Sequence, residues 1–290
     1  MHGTVDGFSY GLVTPLAAYV MACLGGALGL RCTTRALLVS HSWRPGWLAL
    51  GSAAIGSGIW TMHFIAMMGF TVQDAPIHYD KPMTYASLAV AVVMVGVGIF
   101  IVGYRGATGT ALFTGGTITG LGIASMHYLG MAGMSFNGTL EYDTFTVGAS
   151  VVIAMVAATA ALWAAGQVRG FLWSVGAALV MGVAVTGMHY TGMAAMKVHL
   201  HTGAPVPGDS PTTLLAPMLI GPLAFLCLAG VVILFDPLMI MGGPDRAPVE
   251  HKPGVPARTG SAHPAHTPRR LRLRTRGTAA HHETRTPQNR

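Results

Sequence analysis

Three stretches of the chain read Trp60-Thr-Met62-His63-Phe64-Ile-Ala-Met67-Met68-Gly-Phe70, Ala124-Ser-Met126-His127-Tyr128-Leu-Gly-Met131-Ala-Gly-Met134 and Thr186-Gly-Met188-His189-Tyr190-Thr-Gly-Met193-Ala-Ala-Met196. They share the pattern Met-His-(Phe/Tyr)-x-(Ala/Gly)-Met-x-x-(Phe/Met), and their histidines lie 64 and 62 residues apart. Each copy sits in an apolar run that carries no charge. A motif recurring at this interval marks an internal repeat, and a repeat of this length holds two helices.

Seven such runs are visible, at about Phe8–Leu30, Trp47–Thr71, Thr84–Gly103, Thr110–Ser135, Thr144–Ala165, Gly170–Met196 and Thr213–Phe235. Each reaches the ~20 residues that cross a bilayer core as a helix. A spanning chain must satisfy its backbone internally, and the runs lack the alternation of barrel strands. Only 9% of the residues are charged, whereas 52% are apolar; a soluble domain carries about 25% charged residues. The expected fold is all-α: a polytopic bundle of seven transmembrane helices, residues 1–236, with three two-helix repeats.

Orientation follows from the basic residues of the loops. Arg31, Arg35 and Arg44 fall in the first loop, Arg105 in the third and Arg169 in the fifth. The even loops hold Lys81 and Lys197 beside most of the acids, among them Asp74, Asp80, Glu141, Asp143 and Asp209. The N-terminus is therefore expected outside and the C-terminus in the cytoplasm, in a multi-pass protein of the cell membrane. Trp43, Trp47, Trp163 and Trp173 read as anchors near the inner ends, and Tyr79, Tyr85 and Tyr142 near the outer ends. Gly25/Gly29 and Gly116/Gly120 make pairs that allow close helix contact.

The motif itself has a chemistry. Positions i, i+4 and i+7 of a helix share a face. His127, Met131 and Met134 form such a face, as do His189, Met193 and Met196; in the first copy it is His63, Met67 and Phe70. The preceding Met62, Met126 and Met188 are turned about 100° away and can reach a neighbouring helix. Each histidine precedes the outer end of its run by roughly seven residues, or roughly 10 Å at the helical rise. The three motif helices are parallel, so the three imidazoles lie at one depth. Thioethers are poor ligands for hard cations but suit copper, above all Cu(I), and imidazole accepts either copper oxidation state. A copper centre near the outer face, within reach of redox partners or diatomic gases, is the expectation. One such histidine alone would more often serve packing or an interhelical hydrogen bond.

These motifs resemble the MHYT domain, a bacterial integral-membrane sensor domain. The resemblance spans about Tyr10 to Phe235. It implies copper chelation by Met62, His63, Met67, Met126, His127, Met131, Met188, His189 and Met193, and sensing of oxygen, carbon monoxide or nitric oxide. Only Met188-His189-Tyr190-Thr191 spells the full tetrapeptide; Phe64 replaces the tyrosine in the first copy. Many members carry cyclic-dinucleotide enzymes or a kinase on the cytoplasmic side.

Residues 237–290 carry ten basic and three acidic residues and no apolar periodicity. They read as a disordered cytoplasmic tail whose cluster Arg269–Arg276 can lie on anionic lipid or meet a signalling partner. Nucleic acid is not expected as a partner. Catalysis is not expected either, since no nucleophile triad, paired intramembrane carboxylates or phosphate-binding loop is evident. Copper transport or delivery and a membrane haem protein are the competing readings.

Overall fold

The computed structural model of the protein describes residues 5–6, 9–72, 77–167, 171–200 and 211–236. All belong to one unit, Met1–Gly243; a second unit, Pro244–Arg290, and the rest of the expected tail lie outside the described residues. The helices are α1 (Val13–Leu38), α2 (Arg44–Met68), α3 (Lys81–Arg105), α4 (Gly109–Ala132), α5 (Thr144–Gln167), α6 (Phe171–Ala194) and α7 (Pro211–Leu234). Six of them are long and apolar enough to cross a membrane. The exception is α4, whose many glycines and threonines lower its hydropathy. Phe113, Phe145, Trp173, Val180, Ile220 and Phe235 are all exposed, an apolar belt that suits lipid and not water.

Among the described residues, six short strands accompany the helices: β1 (Val5–Asp6), β2 (Thr71–Val72), β3 (His78–Tyr79), β4 (Met134–Ser135), β5 (Gly138–Tyr142) and β6 (Met196–Leu200). They pair antiparallel as β1 with β2, β3 with β4, and β5 with β6. Each pair therefore ties the residues entering an odd helix to those leaving the next even helix. The repeat is a β-α-α-β unit, closed at one end by its own ladder.

The units assemble into a ring. α1 packs on α2, α2 on α3, α3 on α4, α4 on α5, α5 on α6 and α6 on α1, while α7 lies outside against α2 and α1. Backbones come closest where α1 crosses α2: a Cβ on Gly25 would lie 2.7 Å from Gly58 Cα, so neither position admits a side chain. Gly116 and Gly120 likewise sit against Thr159 and Met155 of α5. Away from the strands, Arg35 of α1 pairs with Asp236 just after α7 and stacks over the Trp47 ring at 5.5 Å.

Two expectations are corrected by the strands. Met134 and Met196 do not continue the helical face of their histidines. α4 stops at Ala132 and α6 at Ala194, and both methionines sit in strands, opposite Tyr79 and Tyr142 respectively. Gly133 ends α4 by turning its N–H onto Leu129 O, and Gly69 ends α2 on Ala66 O. Phe70, after Gly69, has left its helix as well. Tyr79 is not an interfacial anchor; it is buried, with its ring 6.3 Å from that of Phe64.

The turn into α5 is held by Asp143, which accepts from the Thr146 amide at 2.9 Å and from its hydroxyl at 2.6 Å. These bonds keep its carboxyl below the usual carboxylate range. They are fully present above that range and are lost as pH falls through the lowered value. Asp143→Ala should therefore speed amide hydrogen exchange at Thr146. Acid slows the exchange chemistry itself, so the readout is the protection factor: it should fall on acidification in the wild type and not in the variant, and an equal fall in the two would count against this cap.

Candidate metal centre

The even helices α2, α4 and α6 carry the three motifs, and each ends five residues after its histidine, at Met68, Ala132 and Ala194. The equal spacing brings the three side chains to one level, about 7.5 Å below the helix ends at 1.5 Å per residue. There they meet. His63 Nδ1 lies 3.1 Å from His189 Nδ1 and 3.1 Å from His127 Nδ1, and His127 and His189 close the triangle at 3.3 Å. The rings stand nearly perpendicular to one another, with interplanar angles of 81°, 77° and 89° and centroids 4.9–5.1 Å apart. All three are 1% exposed.

The outer edges of two of the rings are set by the small residue of the motif. A Cβ on Gly130 would lie 2.7 Å from His63 Nε2, and one on Gly192 would lie 2.5 Å from His127 Nε2. Two imidazoles thus abut the backbone of the next motif helix. The third small position is Ala66. The motif aromatics hold the other ring edges: Phe64, Tyr128 and Tyr190 meet their histidines edge to face at 4.6, 4.9 and 5.0 Å.

The copies are supported differently. Phe64 has no hydroxyl and is held between Trp60, at 4.7 Å, and Tyr79. Trp60 Nε1 donates to Ser87 Oγ at 3.0 Å. The Tyr128 hydroxyl instead pairs with Ser150 Oγ at 2.7 Å. Trp60, Tyr79, Ser150 and the glycines were not singled out from sequence for this role. The recurring (Ala/Gly) position of the motif was the available signal for the glycines.

The protons of this cluster cannot be arranged well. A neutral imidazole carries one N–H. On Nδ1, three hydrogens would crowd one point. On Nε2, three lone pairs would face each other while His63 Nε2 and His127 Nε2 have no acceptor; with one Nδ1–H among the three, the remaining pair still sets lone pair against lone pair. An unpartnered polar group this deeply buried is costly. A cation resolves the crowding by turning three lone pairs into three bonds. The size fits: at ~2.0 Å per metal–nitrogen bond, tetrahedral ligands lie about 3.3 Å apart. Among the described residues this is the one cluster of three or more His, Cys, Asp or Glu side chains close enough to hold an ion, and it includes no carboxylate.

Of the sulfur candidates, Met62, Met126, Met188, Met67 and Met131 are fully buried, and Met193 is half-buried. His199 of β6 is turned to Glu141, at 3.0 Å, and His78 lies in β3. His2 and His201 lie outside the described residues.

The family profile described as the MHYT bacterial signalling protein N-terminal repeat matches residues 56–115, 120–178 and 182–240. The chain belongs to the MHYT family. Each match begins within a motif helix and runs on through the odd helix that follows. The chain is 36% identical over 235 residues, 79% of its length, to a Pseudomonas aeruginosa protein, the bifunctional diguanylate cyclase/cyclic di-GMP phosphodiesterase MucR. It is 34% identical over 195 residues, 65% of its length, to the cyclic di-GMP phosphodiesterase NbdA of the same organism. It is 29% identical over 193 residues, 64% of its length, to the signalling protein YkoW of Bacillus subtilis. It spans 34%, 25% and 24% of those relatives, so the similarity covers an MHYT signalling module and not the whole of each protein. No solved structure matches the chain.

Gly192 offers a direct check of the ring contact. Gly192→Val should cost about 1–3 kcal/mol of thermal stability in detergent, because the new side chain must displace His127. Gly187→Val, with nothing within 4 Å of its Cβ position, should melt close to the wild type. Equal losses in the two variants would contradict the packing described.

Proposed function

We propose that this chain is a membrane sensor module that holds one copper ion on His63, His127 and His189. The observation that supports this reading most is the convergence of three Nδ1 atoms within 3.3 Å of one another. Three neutral nitrogens in an apolar, carboxylate-free shell suit a soft or borderline ion of low charge. Met62, Met126 and Met188 precede the histidines, and Met67, Met131 and Met193 follow one turn later; they are the thioethers on hand for a fourth ligand. Bound copper would supply an exchangeable position and a change of oxidation state, the two properties that let a diatomic gas or a redox shift be registered.

The chain's own residues then do the rest. Each histidine belongs to a different repeat, so a change in the distances between the three nitrogens is a change in the distances between three β-α-α-β units. Gly130 and Gly192 abut the rings directly, which makes the coupling between ring and backbone short. In this reading all seven helices span, the strands face outward and the N-terminus is outside, as the loop charges indicate. Signal output passes to a cytoplasmic partner or to further domains, with cyclic-dinucleotide enzymes the class that two relatives' names suggest.

Copper transport is favoured less. Between the triad and the opposite end of the bundle lies a cavity of about 30 Å³ whose exposed lining is wholly apolar, with Ile55, Ile59, Val95, Ile99, Ile123 and Val185 among its walls. Met181 is the one thioether in that lining, with no imidazole, thiol or carboxylate beside it, so no ladder of ligands continues onward. Haem is favoured less as well: two axial imidazoles must stand about 4 Å apart across an iron, with a macrocycle between them, and here three rings fill that space.

Metal analysis of the detergent-purified protein should find one copper per chain. The His127→Gln/His189→Gln double variant should lose it while keeping the helical circular dichroism of the wild type. Full metal content in that variant, or a Soret band in the wild type, would overturn the assignment.

A further inference from the structure

A buried ligand set needs a way in, and the strand-bearing end of the bundle contains one cavity that shares a wall with it. This vestibule, of about 390 Å³, lies between the end of α4, β4 and β5, and Tyr128, Met131, Met134, Phe136, Leu140 and Tyr142 are among its lining residues. Two of these belong to the motif helix itself. The Tyr128 ring touches that of His127 at 4.9 Å. Met131 lies one helical turn after His127, on the same face.

The lining is selective in its chemistry. Successive side chains of a strand point to opposite faces. In β5, Gly138, Leu140 and Tyr142 line the vestibule, whereas Thr139 and Glu141 are exposed. Glu141 turns to His199 of β6 instead. The alternation keeps the Glu141 carboxylate out, and no carboxylate is among the lining residues. Burial raises the Tyr142 phenol above its ordinary pKa, so it too stays uncharged at neutral pH. Besides the Ser135 hydroxyl, the lining offers two thioethers and three aromatic rings. A hard, strongly hydrated cation finds no oxygen anion here to replace its water. A soft monovalent cation finds sulfur, which suits it, and aromatic faces, which attract it weakly.

We propose that this vestibule is the capture site for a soft monovalent cation, Cu(I) or its analogue Ag(I), with Met134 receiving the ion and Met131 passing it inward to His127. The inference rests on the copper-binding reading above and adds the route, the donor order and the charge selectivity. The strand position of Met134 acquires a role in this arrangement. Displaced from the helical face of His127, it stands instead at the vestibule beside Met131. No bond order or oxidation state changes in the transfer; one thioether leaves the ion as an imidazole joins it.

The test is a loading time course. The full-length protein in detergent is mixed anaerobically with Cu(I) held by a weak competing ligand, then desalted at intervals, and bound metal is counted by mass spectrometry. Met134→Leu, a near-isosteric change, should slow loading by about tenfold or more, in the range of supporting-residue substitutions at metal sites. Its final stoichiometry should be that of the wild type. Met21→Leu, on α1 and in neither the vestibule nor the motifs, should not slow it. As an independent arm, Ser135→Cys places a thiol in the vestibule wall. Alkylating it with a bulky membrane-impermeant maleimide should slow loading while both thioethers remain. Wild-type rates in Met134→Leu and in the alkylated variant would overturn the route while leaving the copper centre standing. A wild-type protein that takes up no metal would overturn both.

Discussion

Everything in this molecule is arranged around the cost of bringing three imidazoles into contact inside a membrane-type core. Nitrogen atoms 3.1–3.3 Å apart leave no room for solvent between them, and neutral rings have too few hydrogens, in the wrong places, to bond all three pairs. Such a cluster persists only where the surrounding packing over-determines it. The packing does so by removing side chains: Gly130 and Gly192 let two rings press on the neighbouring backbone, and Gly25 and Gly58 let α1 and α2 meet backbone to backbone.

The β-α-α-β repeat explains how one geometry is made three times. Each ladder ties the exit of a motif helix to the entry of its own hairpin partner. The level of the histidine is then set by the five residues between it and the end of its helix, with the ladder seven or eight residues on. The three copies need not be identical to achieve this. Phe64 is fixed by stacking between Trp60 and Tyr79, and Tyr128 by a hydroxyl bond to Ser150. Different contacts deliver the same ring position, which is why the first copy can lack the tyrosine.

Much of this was legible in the sequence, for identifiable reasons. A charge-free apolar run has few alternatives to a helix, so the helices could be placed. The shared depth of the histidines followed from the repeat and from the parallel direction of the motif helices. Their convergence did not follow, because spacing along a helix says nothing about which face turns inward. The strands were missed because two-residue ladders carry no periodic signal, although Gly138–Tyr142 and Met196–Leu200 are long enough to show alternation. That omission misplaced Met134 and Met196. Continuing the helix past Gly133 and Ala195 kept them on the histidine face, whereas Gly133 ends α4 and strand pairing draws both residues away. Tyr79 was misjudged for a similar reason: a tyrosine near a span end reads as an anchor until a ladder folds it inward.

The account stands or falls on the three imidazoles acting as one ligand set. X-ray absorption at the copper edge of the loaded, detergent-solubilised protein addresses that directly. Three imidazole scatterers at about 2.0 Å, with one lost in each single His→Gln variant at positions 63, 127 and 189, is the expected result. A spectrum dominated by sulfur or oxygen, unchanged when any one of these histidines is replaced, would contradict it.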